Sequence, residues 1–386
     1  MLATIPAQSL ARALKSVQPT SRRCSLPCLD GRARISVALD GQVRVEATDL
    51  YTSTREQIQS ADGAAPGAVV VAIKPALASL AKRKGNVTIS TERPGQLQLA
   101  FDGAVASIPS TDGEDPDAWP VGAPRYEIGR YTLDACALRA VLARTIPTMS
   151  DDDTRPHLAG VQLELDGEGD GCAVSTDGHR LTLTGTVLAS PSLATIVPAA
   201  AAHAIARAMR HARPGTECTL ATLGSAESAA PSAYRIDCEG SRVQWQRVDE
   251  QFPPYVKVIP RAHAWQAVLD TATLRAAVAS AIASPKSGGL RLAVVADGTV
   301  TIHGEDPDAG SSRAVVQAVT TWTAPDTLGG LDAATVGINR GYLLDAIDAC
   351  ADDSGRTILR GADGLDPIVV TGPAALALAV VMPMRT

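Results

Sequence analysis

Aromatic side chains are scarce in this chain. Phe, Tyr and Trp make up 3% of 386 residues, so Val, Ile, Leu and Ala must fill its cores. No apolar run approaches the roughly 18 residues of a membrane helix. Net positive charge is lacking too: 35 Lys and Arg face 41 Asp and Glu, a balance of −6. That excludes a uniformly basic nucleic-acid binder and leaves room for a basic face on an acidic molecule. A disulfide framework is also missing. The cysteines (24, 28, 136, 172, 218, 238 and 350) are odd in number and scattered, the pattern of reduced thiols. Cys24 and Cys28 flank Ser-Leu-Pro with no second pair at zinc spacing, so no metal site is expected there. The opening MLATIPAQSLARALKSVQP lacks the basic stretch and apolar core of a secretory signal, and the expectation is a cytoplasmic protein.

What is present is repetition. DGQVRVEATD (40–49), the segment 166–177 ending in CAVSTD, and DGTVTIHGED (297–306) each read as a turn and an alternating strand ending in an acid. Asp49, Asp177 and Glu305 recur at an interval of 128 residues. Helical spacing precedes each strand at 9–17, 136–145 and 272–282, with Leu10, Leu138 and Leu274 in matching places. A second helix is expected after each strand, at 73–85, 197–215 and 338–355, each ending near a glycine. Short alternating strands fill the gaps. The expected fold class is therefore α+β, in three copies of a unit with two helices packed on antiparallel sheets. Pro-rich joints at Asp115–Pro124 and Gln251–Pro260 set the expected domains at 1–125, 126–260 and 261–386. Such repetition points to an arc or ring rather than to one catalytic cleft.

Two features carry chemistry. The helices hold basic residues: Arg12, Lys15, Lys82, Arg83 and Lys84, then Arg139, Arg144, Arg207, Arg210 and Arg213. They read either as a phosphate-facing surface or as solvated helix faces. The third repeat is poorer in base, with Asp345, Asp348, Asp352 and Asp353 opposing Arg275, Lys286 and Arg340. The second feature is STDGHR (175–180), which reads either as a site corner or as an Asp-Gly hairpin turn.

Several separated stretches, in order, resemble the bacterial DNA polymerase III beta subunit, the sliding clamp. They are LPCL (26–29), ATDL (47–50), DDDTRPHLAGVQLE (151–164), STDGHRL (175–181), IVP (196–198), QFPPYVKVIP (251–260) and VVMPMRT (380–386). The resemblance implies two three-domain chains closing head to tail into a six-domain ring. Duplex DNA would thread the ring irrespective of sequence, with no catalytic residue and no cofactor. It also implies a hydrophobic cleft that captures short peptides of the polymerase alpha subunit, the clamp loader and other DNA-processing proteins. Carried over by motif, the cleft takes Leu158, Thr176, Gly178, His179, Arg180 and Leu181 from the second repeat. Pro253, Lys257 and Val258 come from the joint, and Asn339, Tyr342, Val380, Met382, Pro383, Met384 and Arg385 from the third. Proline, leucine, valine and flexible methionine suit an adaptable apolar groove, with Arg180, Lys257 and Arg385 as rim donors. The implied DNA contacts are Arg23, Lys82, Arg83, Arg139, Arg207 and Arg210, and the implied dimer joint uses Ala281, Ile282, Ala104 and Ala106.

The chain departs from that family in places. Ala199 and Ala200 stand where a basic residue is usual, and Lys257 where arginine is common, which removes a planar bidentate donor. Ala104, Val105 and Ala106 are small for a joint. Two other readings compete: a specialised second clamp with an altered cleft, and a metal-dependent hydrolase built on Asp151–Asp153, His157 and His179.

Overall fold

A computed structural model of the protein describes residues 1–21, 24, 26–60, 63–93, 95–110, 119–120, 125–225, 230–283, 288–322 and 333–385. One element order runs through it three times. The first pass is β1 (Leu2–Pro6), α1 (Ala7–Val17), β2 (Arg32–Val37), β3 (Gln42–Thr48), β4 (Thr52–Gln59), β5 (Gly67–Ala72), α2 (Ile73–Leu80), β6 (Asn86–Ser90), β7 (Gln96–Phe101) and β8 (Ala104–Pro109). The second is β9 (Tyr126–Asp134), α3 (Ala135–Thr145), β10 (Gly160–Leu165), β11 (Gly171–Thr176), β12 (Arg180–Gly185), β13 (Leu193–Pro198), α4 (Ala199–Ala208), β14 (Glu217–Gly224), β15 (Ala233–Cys238) and β16 (Ser241–Gln246). The third is β17 (Trp265–Asp270), α5 (Thr271–Ser280), β18 (Gly289–Val295), β19 (Thr299–Asp306), β20 (Gly310–Gln317), an extra strand β21 (Val319–Trp322), β22 (Ala333–Asn339), α6 (Arg340–Cys350), β23 (Arg356–Gly361), β24 (Ile368–Thr371) and β25 (Ala377–Val381).

All six expected helices form, and three stop earlier than their glycines suggest. Helix α2 ends at Leu80, and Lys82 turns left-handed at φ 60°. Helix α4 ends at Ala208 in a short 3₁₀ turn, Met209–His211, ahead of Pro214, which disfavours helix in the residue before it. Beyond α6, Asp352 accepts from the Ser354 amide at 2.9 Å and turns the chain.

The chain folds as two compact units. The first comprises Met1–Ala140, Gly167–Gly169 and Val197–Asp249; the second comprises Val141–Asp166, Asp170–Ile196 and Glu250–Thr386. The first holds a four-stranded sheet, β1-β6-β7-β8, and an eight-stranded sheet, β5-β2-β3-β4-β16-β15-β14-β9. Helix α1 buries Leu10, Leu14 and Val17 against Ile35, Val43 and Val45, because its apolar residues recur at three- and four-residue spacing. The second unit repeats this plan with β20-β19-β18-β22 and the nine-stranded β13-β10-β11-β12-β25-β24-β23-β17-β21. Its core packs Leu274 and Val278 of α5 and Leu343 and Ile347 of α6 onto the sheets. Among the described residues no helix is long and apolar enough to cross a membrane.

Both wide sheets are therefore composite. In each, the fourth strand of one repeat pairs antiparallel with the last strand of the next: β4 with β16, and β12 with β25. The acids singled out by the repeat shape the turn before that fourth strand. Asp49 accepts from the amides of Tyr51 and Thr52, at 2.9 and 2.6 Å. Asp177 accepts from those of His179 and Arg180, at 2.8 and 3.0 Å. In the third repeat the role falls to Asp306, bonded to the amides of Asp308 and Ala309, rather than to Glu305. The expected register there is one residue short.

Candidate functional site

STDGHR is a hairpin turn. Strands β11 and β12 pair Thr176 with Leu181, and Gly178 takes φ 93°, a conformation that favours glycine. Thr176 Oγ1 accepts from the Gly178 amide at 3.1 Å and donates to the Arg180 carbonyl at 2.6 Å. Asp177 fixes the far side through its two amide bonds and a 2.8 Å ion pair with Arg180 Nε. The turn so built forms one rim of a cavity of about 150 Å³.

Nine of the sequence-predicted cleft residues line that cavity. Leu158, Thr176, Gly178, Arg180 and Leu181 come from the second repeat, Pro253 and Val258 from the joint, and Val380 and Met382 from β25 and the tail. Beneath them Cys172, Val174, Leu183, Phe252 and Leu378 form an apolar floor. The β12–β25 pairing, with Leu181 opposite Val380, brings residues 199 positions apart to one wall. The Met382 amide extends the wall by donating to the His179 carbonyl at 2.9 Å.

The other predicted residues do not line the cavity. His179 is exposed and contributes its backbone. Asn339 caps α6, accepting from the Tyr342 amide at 3.1 Å, and the Met384 amide is bonded to the Gly337 carbonyl. Pro383 is half-buried, while Lys257 and Arg385 are exposed. Tyr342 lies under the Arg180 guanidinium, 4.3 Å from carbon to ring centroid. Arg180 was expected as a rim donor, yet each of its three nitrogens already donates within the protein. Nε goes to Asp177, Nη1 to Asp345, and Nη2 to the Pro147 carbonyl at 2.7 Å. It braces the turn.

Sequence reasoning missed Tyr255, which lines the cavity and is 5% exposed. Its hydroxyl donates to Glu164 Oε2 at 3.0 Å, and Cys172 Sγ lies 3.5 Å from it. Burial raises the Tyr255 pKa and pushes the Cys172 thiol up to about 11, so both hold their protons at neutral pH. The signal was in FPPY, an aromatic in a proline-rich joint, but its partner Glu164 lies 91 residues away.

The predicted DNA contacts that are described lie in the first unit. Lys82, Arg83, Arg207 and Arg210 are exposed and Arg139 is half-buried, whereas Arg23 lies outside the described residues. Helix α1, with exposed Arg12 and Lys15, packs against α2 and α4, and Arg207 Nη1 donates to the Lys15 carbonyl at 2.9 Å. Arg83 sits 4.7 Å over the Phe101 ring. In the second unit, by contrast, Arg275 of α5 is paired with Asp348 of α6 at 2.6 Å.

Of the predicted joint residues, Ala104 and Ala106 sit half-buried on the free edge strand β8, beside exposed Val105. Ala281 is 4% exposed in its own core, and the Ile282 amide donates to Ser312 Oγ of the edge strand β20 at 2.7 Å. Among the described residues no three His, Cys, Asp or Glu side chains gather as a metal site. His157 contacts Glu250, and Asp152 is bonded to Thr154 and Arg155.

A triplicated α+β chain with composite antiparallel sheets and an apolar surface cavity defines the class of DNA-clamp folds. Residues 132–254 match the family described as DNA polymerase III beta subunit, central domain. The beta sliding clamp of Escherichia coli K12 is 25% identical over 99% of both chains, and that of Caulobacter vibrioides 26% identical over all of both. Among solved structures, a Pseudomonas aeruginosa sliding clamp bound to griselimycin superposes with a TM-score of 0.80 at 23% identity, covering both chains fully. The Thermotoga maritima beta subunit gives 0.82 at 16%, covering 100% of this chain and 99% of its own. The central part of the chain thus matches the beta-subunit family, and the whole chain is similar to bacterial beta sliding clamps in sequence and in fold.

Proposed function

We propose that two copies of this chain close head to tail into a six-domain ring around duplex DNA, acting as a non-catalytic processivity subunit in the cytoplasm. The observation that carries this reading is the pairing between repeats. Fourth strand meets next repeat's last strand at β4–β16 and again at β12–β25. The third repeat's fourth strand, β20, and the first repeat's last strand, β8, are both free sheet edges. An unpaired edge is a ready template for another chain. Pairing β20 of each copy with β8 of the other completes the series and closes the ring. On this reading the domains are 1–125, 126–260 and 261–386.

The exposed bases on the first unit's helices support contact with phosphates, and topology makes tight grip unnecessary. The apolar cavity supports capture of short peptides carried by the polymerase alpha subunit and the clamp loader. A cavity of this size suits affinity of roughly micromolar order, which permits exchange of partners.

Light scattering across a dilution series tests closure: the expected mass is twice 39.8 kDa. After loading, retention on nicked circular DNA and loss on linearisation complete the test. A monomer at every concentration, or equal loss from both DNAs, would sink the ring. A specialised clamp with an altered cleft would keep the ring and lose affinity for the alpha-subunit peptide.

A further inference from the structure

We infer that Tyr255 is the positioning residue of the cleft: its hydroxyl, tied to Glu164, holds the joint segment as a rigid wall on which the peptide is captured. This inference rests on the peptide-cleft reading above. The segment carrying Pro253 and Val258 forms no strand, only a single 3₁₀ turn, Tyr255–Lys257. Its internal bonds are short-range, from Lys257 N to the Pro254 carbonyl and from Val258 N to that of Tyr255. Such a turn has little stiffness of its own and takes its position from what anchors it. Val256, Lys257 and Val258 are exposed, so apolar packing holds the segment only through Phe252, Tyr255 and Ile259.

Tyr255 reaches inward instead. Its ring faces the cavity and meets Phe252 edge-on at 6.3 Å, while its hydroxyl reaches Glu164 on β10. Glu164 is held in turn, with Gln162 Nε2 3.5 Å from Oε1 and Cys172 Sγ 3.7 Å from Oε2. At the head of the same segment Glu250 meets His157, next to the cavity residue Leu158. The wall is thus pinned at its head and its middle to the repeat that supplies the opposite rim. A prepositioned wall spares the peptide the cost of ordering it, which is how anchoring residues raise affinity without touching the ligand through their polar atoms.

The test is a titration of the intact protein with a fluorescein-labelled clamp-binding peptide of the polymerase alpha subunit. Thermal midpoints and amide exchange are followed alongside. Tyr255→Phe keeps the ring and removes the tie; about a fivefold loss of affinity is expected. The midpoint should stay close to wild type, with faster exchange at Lys257 and Val258 and unchanged exchange in β10. Glu164→Gln retains an acceptor and should bind like wild type. Glu164→Ala should match Tyr255→Phe, and the double variant should be no weaker than either, the non-additivity expected of partners. If Tyr255→Phe is unstable, Glu164→Ala against Glu164→Gln decides alone. Wild-type binding with equal affinity in Tyr255→Phe and Glu164→Ala would overturn the inference and leave the cleft reading intact. No binding by the wild-type protein would remove both.

Discussion

Two residues in equivalent turns do the same job with unequal ease. Leu50 and Gly178 each follow the acid that shapes the turn, at φ 80° and 93°, and each has its amide bonded to the preceding threonine hydroxyl. Glycine reaches this region freely, whereas a leucine pays about 1–2 kcal/mol in contact between Cβ and carbonyl. Space is not the constraint at Gly178, since an added Cβ would come no nearer than 4.0 Å to Arg155 Nη1. The backbone conformation alone decides. Leu50→Gly should therefore stabilise the first unit by about 0.5–1 kcal/mol after glycine's own entropy cost, and Gly178→Ala should destabilise the second by about 1 kcal/mol. Urea midpoints of the two variants check this. Shifts of the same sign would mean that the two turns are not equivalent.

At the scale of elements, the seating of α1 makes a pH-dependent prediction. Ser16 on its inner face donates to Glu56 Oε1 of β4 at 2.5 Å, and Ser241 of β16 donates to Oε2 at 2.6 Å. Burial still dominates and raises the Glu56 pKa, against those two bonds and the nearby Arg12 charge. For an acid raised in the folded state, the favourable contribution belongs to the protonated form and is lost as pH rises through the folded pKa. Glu56→Gln should thus melt higher than wild type at pH 7 to 8, with the gap closing toward about pH 4, where wild type is protonated too. A gap that widens on acidification would refute the assignment. The elements themselves were legible because three- and four-residue spacing marks α1 and α6, and period-two alternation marks β3, β11 and β19. What joins them was not. The β4–β16 partners lie nearly two hundred positions apart, and nothing local in TREQIQ or SRVQWQ names the other. The same holds within the cleft. The motifs supplied Leu181, Pro253 and Met382, whereas Tyr255 becomes visible only once β10 places Glu164 beside it, and Arg180 proves a brace only once α6 presents Asp345.

For the whole molecule, internal symmetry predicts the register of the proposed ring residue by residue. Counting along the hairpin ladders, Glu56 opposes Val45, Thr184 opposes Ala173 and Ala314 opposes Ile302, each four residues before its turn acid, so Glu56, Thr184 and Ala314 are the equivalent positions on the fourth strands. Glu56 pairs with Ser241, and Thr184 with Ala377. Each of these partners opens the last strand of its repeat, as Ala104 opens β8. Ala314 should then face Ala104 of the second copy, and two residues along the antiparallel ladder Ser312 should face Ala106. Directly opposed residues on paired strands hold their Cα atoms about 4.5–5.5 Å apart, within disulfide reach. A chain carrying both Ala106→Cys and Ser312→Cys should oxidise to a covalently closed two-chain ring that stays on circular DNA through denaturant. Each single variant should form no such product, and Ala106→Cys with Gln317→Cys, out of register, should crosslink poorly. Equal crosslinking by the displaced pair would mean that the edges meet without the register of β4–β16. No crosslink from either pair would mean that β8 and β20 do not meet, and the ring would lose the symmetry argument on which it stands.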